Sequence, residues 1–236
     1  MKMAVFTRNQ PRHLALIERL AETAEQVFAV LECNTVFPGQ VADFFAKSPT
    51  MQEYFSRVMS AEQHFFGNVR FSPNRSSTMS IKAGDLNSLS YSDLTPALDA
   101  DVFVVFGSSF IKGWLAEFLV EHQALNIHMG LSPYYRGSSC NFWALYDSNP
   151  AMVGATIHLL TRGLDSGPIL RHAVPTLRNE DPFRFTMKAV VAAFDAILET
   201  LRNSDWRGSP TVPQDRSLEL RYTRNSDFTD EIAADF

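Results

Sequence analysis

Three residues have types and spacing that suit chemistry: Asn126, His128 and Asp165. Asn126 and His128 are two apart in Leu125-Asn126-Ile127-His128, so on a strand both side chains leave the same face. Asp165 lies in Gly163-Leu164-Asp165-Ser166-Gly167-Pro168, where Asp, Gly and Pro each also have local reasons to form a turn. An amide, an imidazole and a carboxylate without a nucleophilic serine suit acyl transfer to an amine. The amine is its own nucleophile and needs a base, an oxyanion partner and a group that sets the imidazole's charge. The sequence has no G-x-S-x-G elbow, which disfavours a serine hydrolase. It has neither G-x-G-x-x-G nor G-x-x-x-x-G-K-[ST], which removes the usual dinucleotide and P-loop readings.

The elements that must position these groups follow from periodicity. Met3–Phe6 reads as a buried strand followed by the polar turn Thr7–Pro11, then a helix carrying Leu14, Ile17, Leu20 and Ala21 on one face. Val27–Leu31 is a second strand. Val41–Phe66 is helical, with Phe44, Phe45, Tyr54, Phe55, Val58 and Phe66 in its apolar stripe and Pro49 dividing it in two. Ser72–Ser80 reads as a mobile surface loop and Ser80–Lys82 as a brief strand. Asp101–Phe106 is a continuous apolar run, as in a parallel sheet covered on both faces. Trp114–His122 is helical, Leu125–His128, Val153–Leu160 and Arg171–Val174 are strands, and a helix runs from about Asp181 to Arg202. This alternation predicts an α/β fold, Rossmann-like, with a mostly parallel sheet and helices on both faces. Ligands in such sheets sit outside the carboxyl ends of the strands, which singles out residues just after Phe6, Phe106, His128 and Leu160.

With 236 residues, 45% apolar and 20% charged, the chain can bury a full core, roughly 70% of its unfolded surface. Residues 1–203 are expected to form one catalytic domain, with 204–236 a tail packed on the domain or on a partner. The formal charge is −5 and the arginines are scattered, which disfavours nucleic acid as the main partner. Cys33 and Cys140 fit no metal spacing, no metal is expected, and both read as free thiols. The sequence shows no signal or membrane-spanning segment, and the expected location is cytoplasmic. Nineteen Phe point to a generous interior or an aromatic-lined pocket, and a homodimer is one candidate use of the surplus.

Asn126-Ile127-His128, Leu131–Gly137, Thr156-Ile157-His158 and Gly163–Leu170, in this order and separation, resemble the signature of the folate-dependent formyltransferases. The motif-bearing part covers roughly residues 100–175. The resemblance implies transfer of a formyl group from N10-formyltetrahydrofolate to an amine. It implies that His128 is the base toward the amine and that Asn126, with charged His128, holds the developing oxyanion. Asp165 would tune His128 and pass a proton, through water, to the departing N10. The pterin would lie between the loop after the central strand (Phe106, Gly107, Phe110, Ile111, Lys112) and the loop before the Asp (Leu160, Thr161, Arg162, Gly163, Leu164).

The chain departs from the family in having Met129-Gly130 where Pro and Ser are common, which implies a freer loop. It also lacks the glycine-rich phosphate loop of the glycinamide ribonucleotide enzymes; Thr7–Pro11 stands in its place. Its length leaves no room for the C-terminal barrel of the methionyl-tRNA enzymes or the N-terminal regulatory domain of the hydrolases. What remains resembles the short enzymes that formylate an amino sugar on a nucleoside diphosphate, and the resemblance makes that the expected acceptor. Arg8, Arg12 and His13 are candidates for the diphosphate, as is Arg136, equally a structural clamp; Asn9, Asp85, Asn87 and Tyr135 are candidate acceptor contacts. His158 reads as core or loop-satisfied, and Cys140 as a small apolar residue. Hydrolysis of the donor, transfer to another small amine, and a silent folate- or nucleotide-binding module are the alternatives.

Overall fold

The computed structural model describes residues 1–34, 48–68, 70–203 and 205–236. Phe44 and Phe45, expected in the helical stripe, lie outside the described residues. Nine strands are described: β1 (Lys2–Arg8), β2 (Gln26–Cys33), β3 (Ser76–Lys82), β4 (Val102–Phe106), β5 (Leu125–His128), β6 (Tyr135–Gly137), β7 (Ala155–Leu159), β8 (Ile169–Ala173) and β9 (Arg221–Thr223). The helices are α1 (Pro11–Thr23), α2 (Pro49–Phe66), α3 (Tyr91–Leu94), α4 (Trp114–Glu121), α5 (Cys140–Tyr146), α6 (Pro182–Arg202) and α7 (Asp230–Asp235).

Seven strands form one sheet in the order β3-β2-β1-β4-β5-β7-β8. The first five are parallel, whereas β7 and β8 pair antiparallel. The fold is therefore α/β, Rossmann-like and mostly parallel. Alternate residues of each strand feed two cores. Met3, Val5, Val104 and Ile127 face α1, α2 and α6, while Phe6, Phe103 and Val105 face α3 and α4. This explains the unbroken apolar run in β4, since a strand covered on both faces has no solvent side to supply polar residues. Burying each such side chain contributes about 1.5–3 kcal/mol before entropy is counted.

Pro49 starts α2, and the part of the expected helical region before residue 48 lies outside the described residues. The missing proline N–H is no loss in the first turn, and Ser48 caps the helix by accepting from the Met51 N–H at 3.1 Å. The segment expected as a mobile loop up to Ser80 is largely β3, which pairs with β2 from Val27↔Ser76 to Cys33↔Lys82. Residues 205–236 pack on the domain. There β9 pairs with β6, Arg221 makes an ion pair with Asp147, and Arg136 holds Glu219 at 2.9 Å. No helix among the described residues is long and apolar enough to cross a membrane.

Candidate active site

β5 is four residues long and lies between β4 and β7. Its register sets Asn126 opposite His158 and His128 opposite Thr156. Cross-strand partners stand about 5 Å apart, so the pairing itself brings Asn126 Nδ2 to 2.9 Å from His158 Nε2. His158 Nδ1 lies 2.8 Å from the Leu159 carbonyl, which only accepts. Nδ1 therefore carries the proton, and Nε2 accepts from Asn126.

β7 runs antiparallel to β5, and the Leu160 N–H donates to the Ala124 carbonyl at the amino end of β5. The following loop folds back along β5. It sets Asp165, at φ +44°, against Asn126 and His128. Aspartate tolerates this left-handed conformation better than most residues. Asp165 Oδ1 accepts from Asn126 Nδ2 at 3.3 Å, and Oδ2 lies 3.3 Å from His128 Nδ1. The loop is closed by Thr161 and Ser166, whose hydroxyls are 2.9 Å apart, and by Gln214 Nε2 donating to the Gly167 carbonyl.

His128 Nε2 lies 3.2 Å from the Tyr135 carbonyl. Both ring nitrogens thus face oxygens that only accept, and the Cys140 thiol, 3.6 Å from Nε2, has the Gly137 carbonyl to donate to, which fits an imidazolium. Burial opposes that charge, but the Asp165 carboxylate and the adjacent Cys140 sulfur outweigh it and hold His128 well above the usual imidazole range. Burial likewise opposes charge on Asp165, and the His128 imidazolium overcomes it, holding the carboxyl well below its ordinary value. The resting site is an ion pair.

The loop after His128 is tied down, contrary to the freer loop expected from Met129-Gly130. Thr156 Oγ1 donates to the Gly130 carbonyl at 2.7 Å and accepts from the Ser132 N–H at 2.8 Å. A Cβ on Gly130 would fall 2.7 Å from His128 Nε2 and 2.5 Å from Cys140 Cβ, so glycine here is a condition of the imidazole's position.

Two cavities meet at this centre, and His128, Met129 and Gly137 line both. The larger, about 630 Å³, lies between the loops that follow β4 and β7. Gly107, Phe110 and Ile111 line one wall, and Leu160, Thr161, Gly163 and Leu164 another. Phe106 also lines it but packs its ring on His13 and Phe194. Lys112 and Arg162 are not in its lining; Arg162 is ion-paired with Glu117 on the surface. Asn87 binds the Phe110 carbonyl and the Lys112 N–H, so it holds the loop after β4, while Asp85 lines neither cavity.

Of the residues expected near a diphosphate, Arg8 lines the larger cavity and Arg12 the smaller. Arg12 is bound to Glu62 at 2.7 Å, and Asn9 is buried. His13 is buried with Nδ1 2.7 Å from Thr7 Oγ1; burial and the two arginines push it well below the usual imidazole range. The Tyr135 hydroxyl donates to Asp147. Arg136 spans Glu219 and the Leu164 carbonyl, which is the clamp alternative read from the sequence.

Glu32 and the tail residues that line the larger cavity escaped sequence reasoning, and the bond between His158 and Asn126 was not read from it. Glu32, buried at the end of β2, accepts from the Gly84 N–H and from the N–H and hydroxyl of Ser109, fixing the loop after β4. His158 is an orienting partner of Asn126 as well as a core residue. Tyr222, Thr223, Arg224 and Asn225, from the tail, line the larger cavity.

Residues 51–199 match the family model described as "Formyl transferase". A methionyl-tRNA formyltransferase from Thermodesulfovibrio yellowstonii is 30% identical over 122 residues, 51% of this chain and 38% of that protein. The chain spans well under half the length of the curated methionyl-tRNA formyltransferases it matches first. A sugar N-formyltransferase from Shewanella sp. has a similar fold, with TM-score 0.56, 18% identity and coverage of 97% of this chain and 78% of that one. So has an N-formyltransferase from Helicobacter canadensis, in complex with folinic acid and dTDP-3-aminofucose, with TM-score 0.59, 13% identity and coverage of 99% and 78%. With the family model spanning well over half of its 236 residues, the chain belongs to the formyl transferase family.

Proposed function

We propose that this chain is an N-formyltransferase that moves a formyl group from N10-formyltetrahydrofolate to a primary amine. The observation that carries this is the junction. Asn126, His128 and Asp165 converge where a donor-sized cavity meets a second one, so two substrates can reach one imidazole from different sides.

The larger cavity fits the donor. Its volume lies within the range of small-molecule sites, with apolar walls at Ile111 and Leu160 and loop backbone groups that can read a heterocycle's edge. When bound there, the folate supplies an activated formyl group on N10. By giving up their long contacts to Asp165 and to the Tyr135 carbonyl, Asn126 and the His128 imidazolium can turn donors toward negative charge developing on the formyl oxygen. Because His128 rests charged, its first role is that of an electrostatic partner rather than a base. One carbon–nitrogen bond forms as another breaks, and one proton passes from the amine to the departing nitrogen. Asp165 is the group positioned to relay that proton through water, and it keeps the imidazole charged throughout.

Fold likeness to sugar N-formyltransferases supports an amino sugar on a nucleoside diphosphate as the acceptor. Arg8 is the expected diphosphate residue that faces the donor cavity, whereas Arg12, His13 and Arg136 are held by Glu62, Thr7 and Glu219. Tetrahydrofolate release from N10-formyltetrahydrofolate tests the proposal, against a panel of amines, amino-sugar nucleotides, methionyl-tRNA and an acceptor-free blank. Acceptor-dependent release is the expected result; equal release in the blank would make the chain a hydrolase of the donor.

A further inference from the structure

We propose that Asp147 and Arg221 are positioning residues for the His128 centre: they latch the tail to the domain and so hold the Tyr135 carbonyl against the imidazole. This rests on the formyl-transfer reading of that centre. His128 Nε2 lies 3.2 Å from the Tyr135 carbonyl. Tyr135 is the first residue of β6, a strand of three residues whose partner, the equally short β9, completes a separate two-stranded sheet. A two-stranded pairing is marginal in water by itself, so more than the ladder must fix where that carbonyl stands.

The Asp147 carboxylate is bound by both strands. The Tyr135 hydroxyl donates to Oδ2 at 3.1 Å. Arg221, opposite Tyr135 in the register, donates from Nε to Oδ2 at 2.8 Å and from Nη2 to Oδ1 at 2.6 Å. This is a fork of two parallel bonds, which a lysine cannot reproduce. The same guanidinium lies over the Trp143 ring of α5, 4.6 Å from its centroid. Tyr135 is buried, and Asn149 Nδ2 donates to its hydroxyl, so the ring is held at both ends. Asp147 caps the carboxyl end of α5, the end at which a helix disfavours negative charge. Helix formation does not select an acid there; the arginine and the tyrosine do.

The latch serves both sides of the site. On the imidazole side, the Tyr135 carbonyl holds the Nε2 proton until the formyl oxygen takes that donor. On the donor side, β9 leads into the residues that line the larger cavity, Tyr222 to Asn225, and the Ser138 N–H donates to the Thr223 carbonyl at 3.0 Å. The other charged and titratable groups around His128 do not depend on the latch. Asp165 faces Nδ1 with His158 beside it, Cys140 faces Nε2, Arg8 lines the larger cavity and Arg12 the smaller. Arg224, in the tail, is the exception; withdrawing its positive charge would raise the imidazole pKa, the opposite sign to losing the carbonyl.

The test reads the full chain and its variants by NMR titration of the 15N-labelled imidazoles, by calorimetry with 5-formyltetrahydrofolate and by tetrahydrofolate release with a dTDP-amino sugar. Arg221→Ala is the decisive variant. Removing a cation by itself raises the pKa of a nearby imidazole, whereas losing the accepting carbonyl lowers it. The expected result is a His128 titration moved to lower pH by about one unit, with kcat at pH 8 and 5-formyltetrahydrofolate affinity each down about tenfold, the cost of a hydrogen bond to a charged group. Arg221→Lys keeps the charge and loses the fork, and should move all three in the same direction by less. Hydrogen exchange at Tyr222 and Thr223 should quicken while α6 is unchanged, which reports that the domain stays folded. A His128 titration that stays in place or rises in both variants would overturn the proposal, leaving the ion pair a purely structural one. A lowered His128 titration with no tetrahydrofolate release from any amine, in the wild type as well, would support the positioning role and overturn formyl transfer.

Discussion

Replacing Asp165 by asparagine keeps the loop's shape and an oxygen for His128 Nδ1 while removing the charge that holds the imidazolium. His128 stays buried, at 6% exposure, so desolvation then acts unopposed by a carboxylate and its pKa falls below about 6.5. At neutral pH the site loses a charged donor to the oxyanion, worth about 10²–10³ in rate. It also loses its proton relay, so kcat should drop by about 10³ or more. The alkaline limb of kcat/KM should move from well above the ordinary imidazole value to the acid side of it. The variant's residual rate should therefore rise as pH is lowered from 8 toward 5.

Stability gives an independent reading with its own sign. In the native protein the raised His128 pKa contributes stability that is complete below about pH 6.5 and lost as pH rises through the raised value. The depressed Asp165 pKa contributes stability that is complete above about pH 4 and lost as pH falls through the depressed value. The pair therefore gives its full contribution between about pH 4 and 6.5. In Asp165→Asn the imidazole is buried without its partner, so stability falls below about pH 6.5 at up to about 1.36 kcal/mol per unit. The gap between wild type and variant should widen by at least about 2 kcal/mol from pH 8 to pH 5, or about 4–8 °C in Tm for a chain this size. An alkaline limb that stays in place, or a Tm gap that does not grow on acidification, would refute the ion-pair argument.

Glu32→Gln leaves one acceptor where Ser109 and Gly84 present three donors, so the loop after β4 should slacken. Calorimetry should show 5-formyltetrahydrofolate affinity about tenfold weaker, the cost of a hydrogen bond to a charged group; unchanged affinity would dismiss Glu32 as an organiser of that wall. Arg136→Lys cannot span both Glu219 and the Leu164 carbonyl. Hydrogen exchange at Tyr222 and Thr223 should quicken and kcat should fall, with α6 unaffected. His13 is buried with its pKa depressed, so it stabilises the fold above about pH 6.5 and that contribution is lost as pH falls. His13→Gln should be less stable than wild type at pH 7.5 in urea titrations and should show a flatter decline toward pH 5.5.

Buried, regular parts of the fold were legible because a strand covered on both faces announces itself as an apolar run. Val102–Phe106 and Leu125–His128 were placed to within a residue for that reason. β3 was not, because Ser76-Ser77-Thr78-Met79-Ser80-Ile81-Lys82 forms the exposed edge of the sheet, where pairing with β2 and not burial selects the strand. The same holds for β9, whose Arg-Tyr-Thr carries no periodic signal and is a strand because β6 lies beside it. Period-two spacing was enough to pair Asn126 with His128. It could not supply His158, whose role depends on the register between β5 and β7.

The same register departs from the strand arrangement that the carboxyl-end rule assumes. The rule that points to residues just after Phe6, Phe106, His128 and Leu160 assumes that all four strands run the same way. Three do, but β7 is reversed, and its carboxyl end lies beside the amino end of β5. Asp165 reaches the centre because the loop after β7 turns back over the face that carries Asn126 and His128, helped by a left-handed residue and by the Arg136 clamp on Leu164. The reversal has a chemical consequence. In a fully parallel sheet the loop after β7 would join the others at the rim, open to water. Folded over the strand face instead, it buries the carboxylate against two histidines and an amide, which is how a short polar loop holds an imidazole charged inside the protein.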